Sequence, residues 1–383
     1  MRHATAPRYR WAVLAAGTAA QTAFAALTVG LPVLAPELRD HYGLTLGQIG
    51  VVLSSVWLGT ILTFLPWGLA ADRIGERAVL GIGLGTCGVL AAAAGFTSRY
   101  ASLVLLLTLA GAAGASVNSA SGRAVMRWFA PGERGLALGV RQTAIPAGAL
   151  LAALLLPPLD ARGGLVLLGA LCVVGAAAGT LVVHDRIAEP VDVGDVEWSL
   201  RDRPLWRLCG VSGFYLVAQT ALLGFAVLFL HDARGFSEAA AAAVLAAAQV
   251  AAAALRIGVG RWSDVVRSRV RPLRLVGLAV TATLAVVAAV VDASAWVLVP
   301  AIVVACSLSM AWNGLAFTIA AELGGRRSGA AIGIQQTALS VVGVPATIAF
   351  AALVSWTSWR TAFALAALFP LGGWAALRSF PER

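Results

Sequence analysis

The chain has 383 residues, of which 60% are hydrophobic and 12% charged, and its mean hydropathy is +0.86. A water-soluble domain of this size cannot hide so much apolar surface, so composition excludes a soluble fold and makes lipid the solvent. The net charge of +10 does not indicate nucleic acid, because its arginines (there is no lysine) are strung along loops and helix ends rather than gathered on one folded face.

Apolar stretches of about 20 residues, the length that crosses a ~30 Å hydrocarbon core, fill almost the whole chain. They predict twelve membrane helices at 11–34, 48–70, 78–97, 101–122, 135–157, 164–183, 206–230, 237–258, 273–291, 295–317, 329–353 and 361–378. The first resembles a secretory leader, but its apolar run continues through Leu34, too long for a cleaved segment. Connections within each half are short. The longer break at 184–204 carries Asp185, Glu189, Asp192, Asp195 and Glu197 and reads as a cytoplasmic linker. The expectation is an all-α polytopic protein: a six-helix bundle over 1–184, a linker over 185–205 and a second six-helix bundle over 206–383. With the N-terminus inside, only Arg39, Arg99, Arg162, Arg234 and Arg360 fall in outside loops. That positive-inside bias puts both termini in the cytoplasm and the chain in a prokaryotic inner or plasma membrane.

The two bundles read as a duplication. Gly68-Leu-Ala-Ala-Asp72-Arg73-Ile-Gly75-Glu76-Arg77 follows helix 2, and Gly260-Arg-Trp-Ser-Asp264-Val-Val-Arg267-Ser-Arg269 follows helix 8, 192 residues later. Ala-Gln21-Thr-Ala in helix 1 recurs around Gln219 in helix 7, Asn118 of helix 4 recurs as Asn313 of helix 10, and Gly139-Val-Arg141-Gln142-Thr-Ala recurs as Gly333-Ile-Gln335-Gln336-Thr-Ala. Two parallel six-helix repeats are a transporter architecture.

The first of these loops, Gly68…Asp72-Arg73…Gly75-Glu76-Arg77…Leu80, resembles the signature between helices 2 and 3 of the major facilitator superfamily, and the resemblance extends over the whole chain. Glu76 departs from the basic residue usual there, which weakens the loop's charge; the second copy lacks the later glycine. The resemblance implies that Gly68, Asp72, Arg73, Gly75, Arg77, Gly260 and Asp264 gate the inner face. Asp72 would face the start of helix 11 near Ser328, and Asp264 the start of helix 5 near Gly135, each at the positive end of a helix dipole. Anchoring of loops in water is the plainer reading of these charges.

The cargo would be chosen by polar residues inside the helices. Arg141 lies six residues into helix 5; an arginine at helix centre costs about 2.5–3.5 kcal/mol on insertion scales. It therefore faces a wet cavity or partner, or snorkels to the inner surface. Gln249 and Arg256, seven apart on alanine-rich helix 8, share one face. Turned inward, Arg141 and Arg256 would form a positive clamp suited to planar anions. Gln142, Gln21, Gln219, Asn118, Asn313 and Gln336 add neutral donors and acceptors, or simply tie helices together. Trp57, Tyr215 and Trp312 line the cavity or pack. Gly111, Gly114, Ala115, Asn118 and Gly122 make a small-residue stripe on helix 4.

No Asp or Glu falls at mid-helix, so proton coupling would need the substrate or a rim carboxylate, and the coupling ion is left open. The same absence disfavours cations as cargo. The four cysteines lie in apolar stretches without metal-ligand spacing, and the chain has no nucleotide loop or hydrolase motif. No metal, cofactor or enzymatic activity is expected. The sequence reads as a secondary transporter of a small solute, an organic or inorganic anion by preference, working by alternating access. Arg123…Arg127-Trp128-Phe129…Arg134-Gly135 resembles anion and monocarboxylate branches of the superfamily. Efflux of an amphipathic drug or metabolite is the alternative, and a solute sensor that moves nothing is a third.

Overall fold

The computed structural model describes residues 6–184 and 202–381, so 185–201 of the expected linker lie outside the described residues. Among the described residues every regular element is helical. Eleven helical stretches are long and apolar enough to cross a membrane. One of them, Ala295–Trp356, has 62 residues; straight, it would run roughly 93 Å, three hydrocarbon thicknesses. It turns at Gly325, whose φ of 50° lies in the left-handed region, and counts as two crossings.

Twelve membrane segments result: α1 Arg8–Tyr42, α2 Leu46–Ile74, α3 Glu76–Ala94, α4 Tyr100–Trp128, α5 Pro131–Leu155, α6 Ala161–Val182, α7 Arg203–Ala233, α8 Glu238–Val265, α9 Val270–Ala289, α10 295–324, α11 Ser328–Trp356 and α12 Trp359–Ser379. Side chains supply the missing partners at several starts. Thr45 and Gln48 form a reciprocal capping box on α2, while Asp160 and Ser237 accept from the third residue of α6 and α8.

The helices are not uniform cylinders. α4 is interrupted at Ala115, α5 at Gln142–Thr143 and α10 at Met310–Ala311, each within three residues of a predicted polar site. Broken helices free backbone groups that lipid cannot satisfy, so such breaks occur where protein or a cavity does so.

The chain folds as two compact units. One comprises Met1–Pro131, Arg141–Trp198 and Ala321–Thr337; the other Gly132–Val140, Ser199–Ala320 and Ala338–Arg383. The opening turns of α11 thus belong with the first unit, and those of α5 with the second. In the first unit the core is aliphatic, with Leu27, Leu31, Leu80, Leu84, Leu103 and Leu168 fully buried. Small residues bring its helices together, as where Gly88 of α3 meets Gly169 of α6. In the second unit Tyr215 of α7 lies against Gly277 and Gly373 and donates to the Leu273 carbonyl at 3.2 Å. All four cysteines are buried.

Candidate functional site

Each copy of the duplicated loop carries an aspartate that receives two backbone N–H groups. In the first unit Asp72 accepts from Gly329 N at 3.1 Å and Ala330 N at 2.9 Å, the opening turn of α11. In the second, Asp264 accepts from Gly135 N at 3.0 Å and Leu136 N at 2.8 Å, the opening of α5. These amides have no partner inside their own helix, and the carboxylate meets both them and the positive dipole end. Glycine lets the backbones approach so closely. A Cβ on Gly68 would collide with the Gly329 carbonyl, and one on Gly260 with the Gly135 carbonyl. One turn further along, Gly333 lies on Phe64 and Gly139 on Arg256, each touching main chain. Gly135-xxx-Gly139 and Gly329-xxx-Gly333 are therefore helix-contact motifs, visible in the sequence as GxxxG pairs.

The counter-charges differ. Arg123 of α4 places Nε 2.8 Å from Asp72 and Nη1 2.5 Å from Glu76, and Arg127 lies 3.3 Å from Glu76. Glu76 is 1% exposed. The expectation that it merely dilutes a loop's charge is corrected here: it is a buried ion-pair partner on the first residue of α3. Asp264 instead pairs within its own loop with Arg269, which also donates to Ser263 at 2.7 Å. Of the other loop residues, Arg73 and Arg77 are exposed. Gly75 has φ 87° and its repeat equivalent, Arg267, φ 52°. The second loop keeps a positive φ at this position without the glycine.

Arg141 does not snorkel. It is fully buried at the break in α5. Its Nε donates to Ser121 Oγ at 2.7 Å, Nη1 to Gln142 Oε1 at 3.3 Å, and Nη2 to Gln21 Oε1 at 3.1 Å and the Asn118 carbonyl at 2.9 Å. Gln21 Nε2 in turn donates to Asn118 Oδ1 at 3.2 Å. These acceptors are all neutral. They fix the guanidinium plane.

The second unit repeats the amide pair with a different arginine. Asn313 Nδ2 donates to Gln219 Oε1 at 3.2 Å and to the Met310 carbonyl at 3.3 Å, at the break in α10. Arg256 of α8, 2% exposed, donates from Nε to the same Met310 carbonyl at 3.1 Å. Gln249 is half-buried with its side-chain oxygen unbonded, and Trp312, packed edge-on against Tyr215, has an unbonded indole N–H. Gln335, the counterpart of Arg141, is fully buried and Gln336 half-buried on α11, which runs unbroken there. Trp57 of α2 is 46% exposed. Among the described residues no group of His, Cys, Asp or Glu is placed to hold a metal.

Twelve crossings in duplicated halves, with a paired loop–helix seat and buried arginines, define a polytopic carrier. A family model described as Major Facilitator Superfamily matches residues 17–347, and the chain belongs to that superfamily of membrane transporters. It is 32% identical to an uncharacterised MFS-type transporter of Mycobacterium tuberculosis over 98% of this chain and 85% of that one. It is 25% identical to a probable sulfoacetate transporter of Cupriavidus necator over 91% and 89%. The fucose:proton symporter of Escherichia coli shares its fold with a TM-score of 0.77 at 15% identity, over 97% and 98%. The protein is thus a multi-pass membrane transporter of small molecules rather than an enzyme.

Proposed function

We propose that this transporter is a secondary carrier of small organic anions, carboxylates or sulfonates, working by alternating access in a bacterial plasma membrane with both termini in the cytoplasm. The supporting observation is Arg141. A guanidinium oriented by Ser121, Gln21, Gln142 and the Asn118 carbonyl is set at a helix break inside a membrane segment. An anionic solute approaching it is favoured by the positive charge of the guanidinium, which a cationic solute is repelled by and a neutral one does not feel. Similarity to a sulfoacetate transporter agrees with this reading. Arg256 with Gln219, Asn313 and Gln249 supplies a further cationic centre in the second unit, and Gln336 an additional amide.

In the same reading Asp72 and Asp264, with Gly68, Gly260, Gly75 and the flanking Arg73 and Arg77, form the inner gate. They hold the opening turns of α11 and α5 and release them as the inner side opens.

The test is a solute panel in proteoliposomes, with wild type beside Arg141→Ala and Arg141→Lys. Saturable uptake of carboxylates or sulfonates is expected, reduced at least tenfold in Arg141→Ala and less in Arg141→Lys. Uptake of organic cations, or anion uptake untouched by Arg141→Ala, would overturn the assignment.

A further inference from the structure

The two aspartate seats pair their carboxylates differently. In the second unit Asp264 pairs with Arg269 of its own loop. In the first unit the pairing runs to α4: Arg123 bridges Asp72 and Glu76, and Arg127 adds to Glu76. The side chains of Asp72, Glu76 and Arg123 are each less than a tenth exposed, so water screens their mutual interaction little.

The turn that Asp72 holds carries positive charge of its own. It presents the N–H groups of Gly329 and Ala330, an end equivalent to about half a positive charge, and it follows directly on Arg326 and Arg327. A seat with a net positive charge would repel it. Were Glu76 the basic residue that the family resemblance leads one to expect, Asp72 would stand beside three cations.

We infer that Glu76 is a positioning residue of the inner gate: it offsets the second arginine of α4, keeps excess positive charge away from the Asp72 seat, and so sets how often the first turn of α11 is released. Arg127 is the charge it offsets, and Arg123 remains for Asp72. This rests on the reading of Asp72 as a gate residue.

The test uses the full-length transporter in inside-out membrane vesicles. Ser328, buried in the opening turn of α11, is changed to cysteine. The native cysteines are buried, so they give little background. The rate of modification by a membrane-impermeant maleimide reports exposure of that turn. Glu76→Gln should raise the rate about fivefold, or about 1 kcal/mol at 1.4 kcal/mol per tenfold. Glu76→Arg should raise it further, and Glu76→Asp should stay within twofold of the parent. The deciding variant is Glu76→Gln with Arg127→Gln, which removes both charges and leaves the Asp72–Arg123 pair. It should return the rate to within twofold of the parent and restore solute turnover. Loss of packing around Glu76 would not be repaired by removing a second side chain. If Asp72→Asn leaves labelling unchanged, the gate reading itself fails. If Asp72→Asn raises labelling while Glu76→Gln does not, or if the double variant is no slower than Glu76→Gln, only the role of Glu76 is overturned.

Discussion

The first and second halves of this transporter share a scaffold and differ in where their charge sits. Gly68 and Gly260, Gly329 and Gly135, Gly333 and Gly139, Asp72 and Asp264 occupy matched positions and make matched contacts. The amide pairs Gln21–Asn118 and Gln219–Asn313 also recur at the same 3.2 Å separation. The arginines do not recur. Arg141 of α5 is matched by Gln335 of α11, and Arg256 of α8 by Phe64 of α2. Each half has brought a guanidinium to its inherited amide network from a different helix. The shared elements do what every cycle of the carrier requires. The unshared ones are free to match a particular cargo, and that division locates specificity in the arginines.

The largest effect should come from the shared scaffold and be equal in both halves. A Cβ at Gly329 would lie 2.7 Å from the Gly68 carbonyl and 2.9 Å from Asp72 Oδ1, and Gly135 is as confined. Gly329→Leu and Gly135→Leu should each abolish uptake, at least a hundredfold, at normal membrane expression. Activity in one and not the other would break the equivalence of the two seats.

Next come the unshared arginines. Arg141→Gln makes the position match its repeat partner and should lower anion uptake more than tenfold. Adding Gln335→Arg should not restore it, because α11 is unbroken at 335 and the Gln21–Asn118 pair contacts α5 instead. Recovery of uptake in the exchanged variant would show that the halves are interchangeable in cargo binding.

Smaller effects separate the wiring of the seats. Arg269→Gln removes the ion pair of Asp264, whereas Asp72 takes its arginine, Arg123, from α4, so the matching loop change, Arg77→Gln, leaves that pair in place. The first should slow turnover several-fold and the second less than twofold, measured as initial uptake rates. Equal losses would contradict the different wiring. The smallest effect concerns the two positive-φ positions. Arg267, at φ 52°, pays roughly 1–2 kcal/mol for that conformation. Gly75, at φ 87° and ψ 166°, occupies a region held essentially by glycine alone. Arg267→Gly should therefore stabilise the protein by about 1 kcal/mol, and Gly75→Ala destabilise it by roughly 1–3 kcal/mol, read as opposite shifts in the thermal midpoint in detergent.

Fold and duplication were legible in the sequence because lipid imposes them: uninterrupted apolar runs leave little choice but helices, and repeated polar sites stand out against alanine and leucine. Asp72 and Asp264 could be placed on their partner helices from resemblance and dipole charge together. Glu76 was not legible, because a carboxylate in an arginine-rich loop reads as solvated; only the return of α4, about two to three helix turns beyond its own break, brings Arg123 and Arg127 against it. The break at Gln142–Thr143 has a local cause, Pro146, which cannot donate to the Gln142 carbonyl four residues back; the break at Met310–Ala311 has no proline beside it to announce it. The left-handed Arg267 was hidden for the opposite reason, since the usual marker of that conformation, glycine, is missing there. Burial of Arg141 rather than snorkelling depended on Gln142 beside it and on three acceptors from α1 and α4, distant in sequence and brought there by packing.

The central claim, that Arg141 recognises the charge of the cargo, is tested most directly by equilibrium binding to purified transporter. An acid found to be transported is compared with its uncharged amide in wild type and Arg141→Gln. Wild type should bind the acid at least tenfold more tightly than the amide, and Arg141→Gln should lose that preference while binding the amide as before. Retention of the full preference for the acid in Arg141→Gln would contradict it.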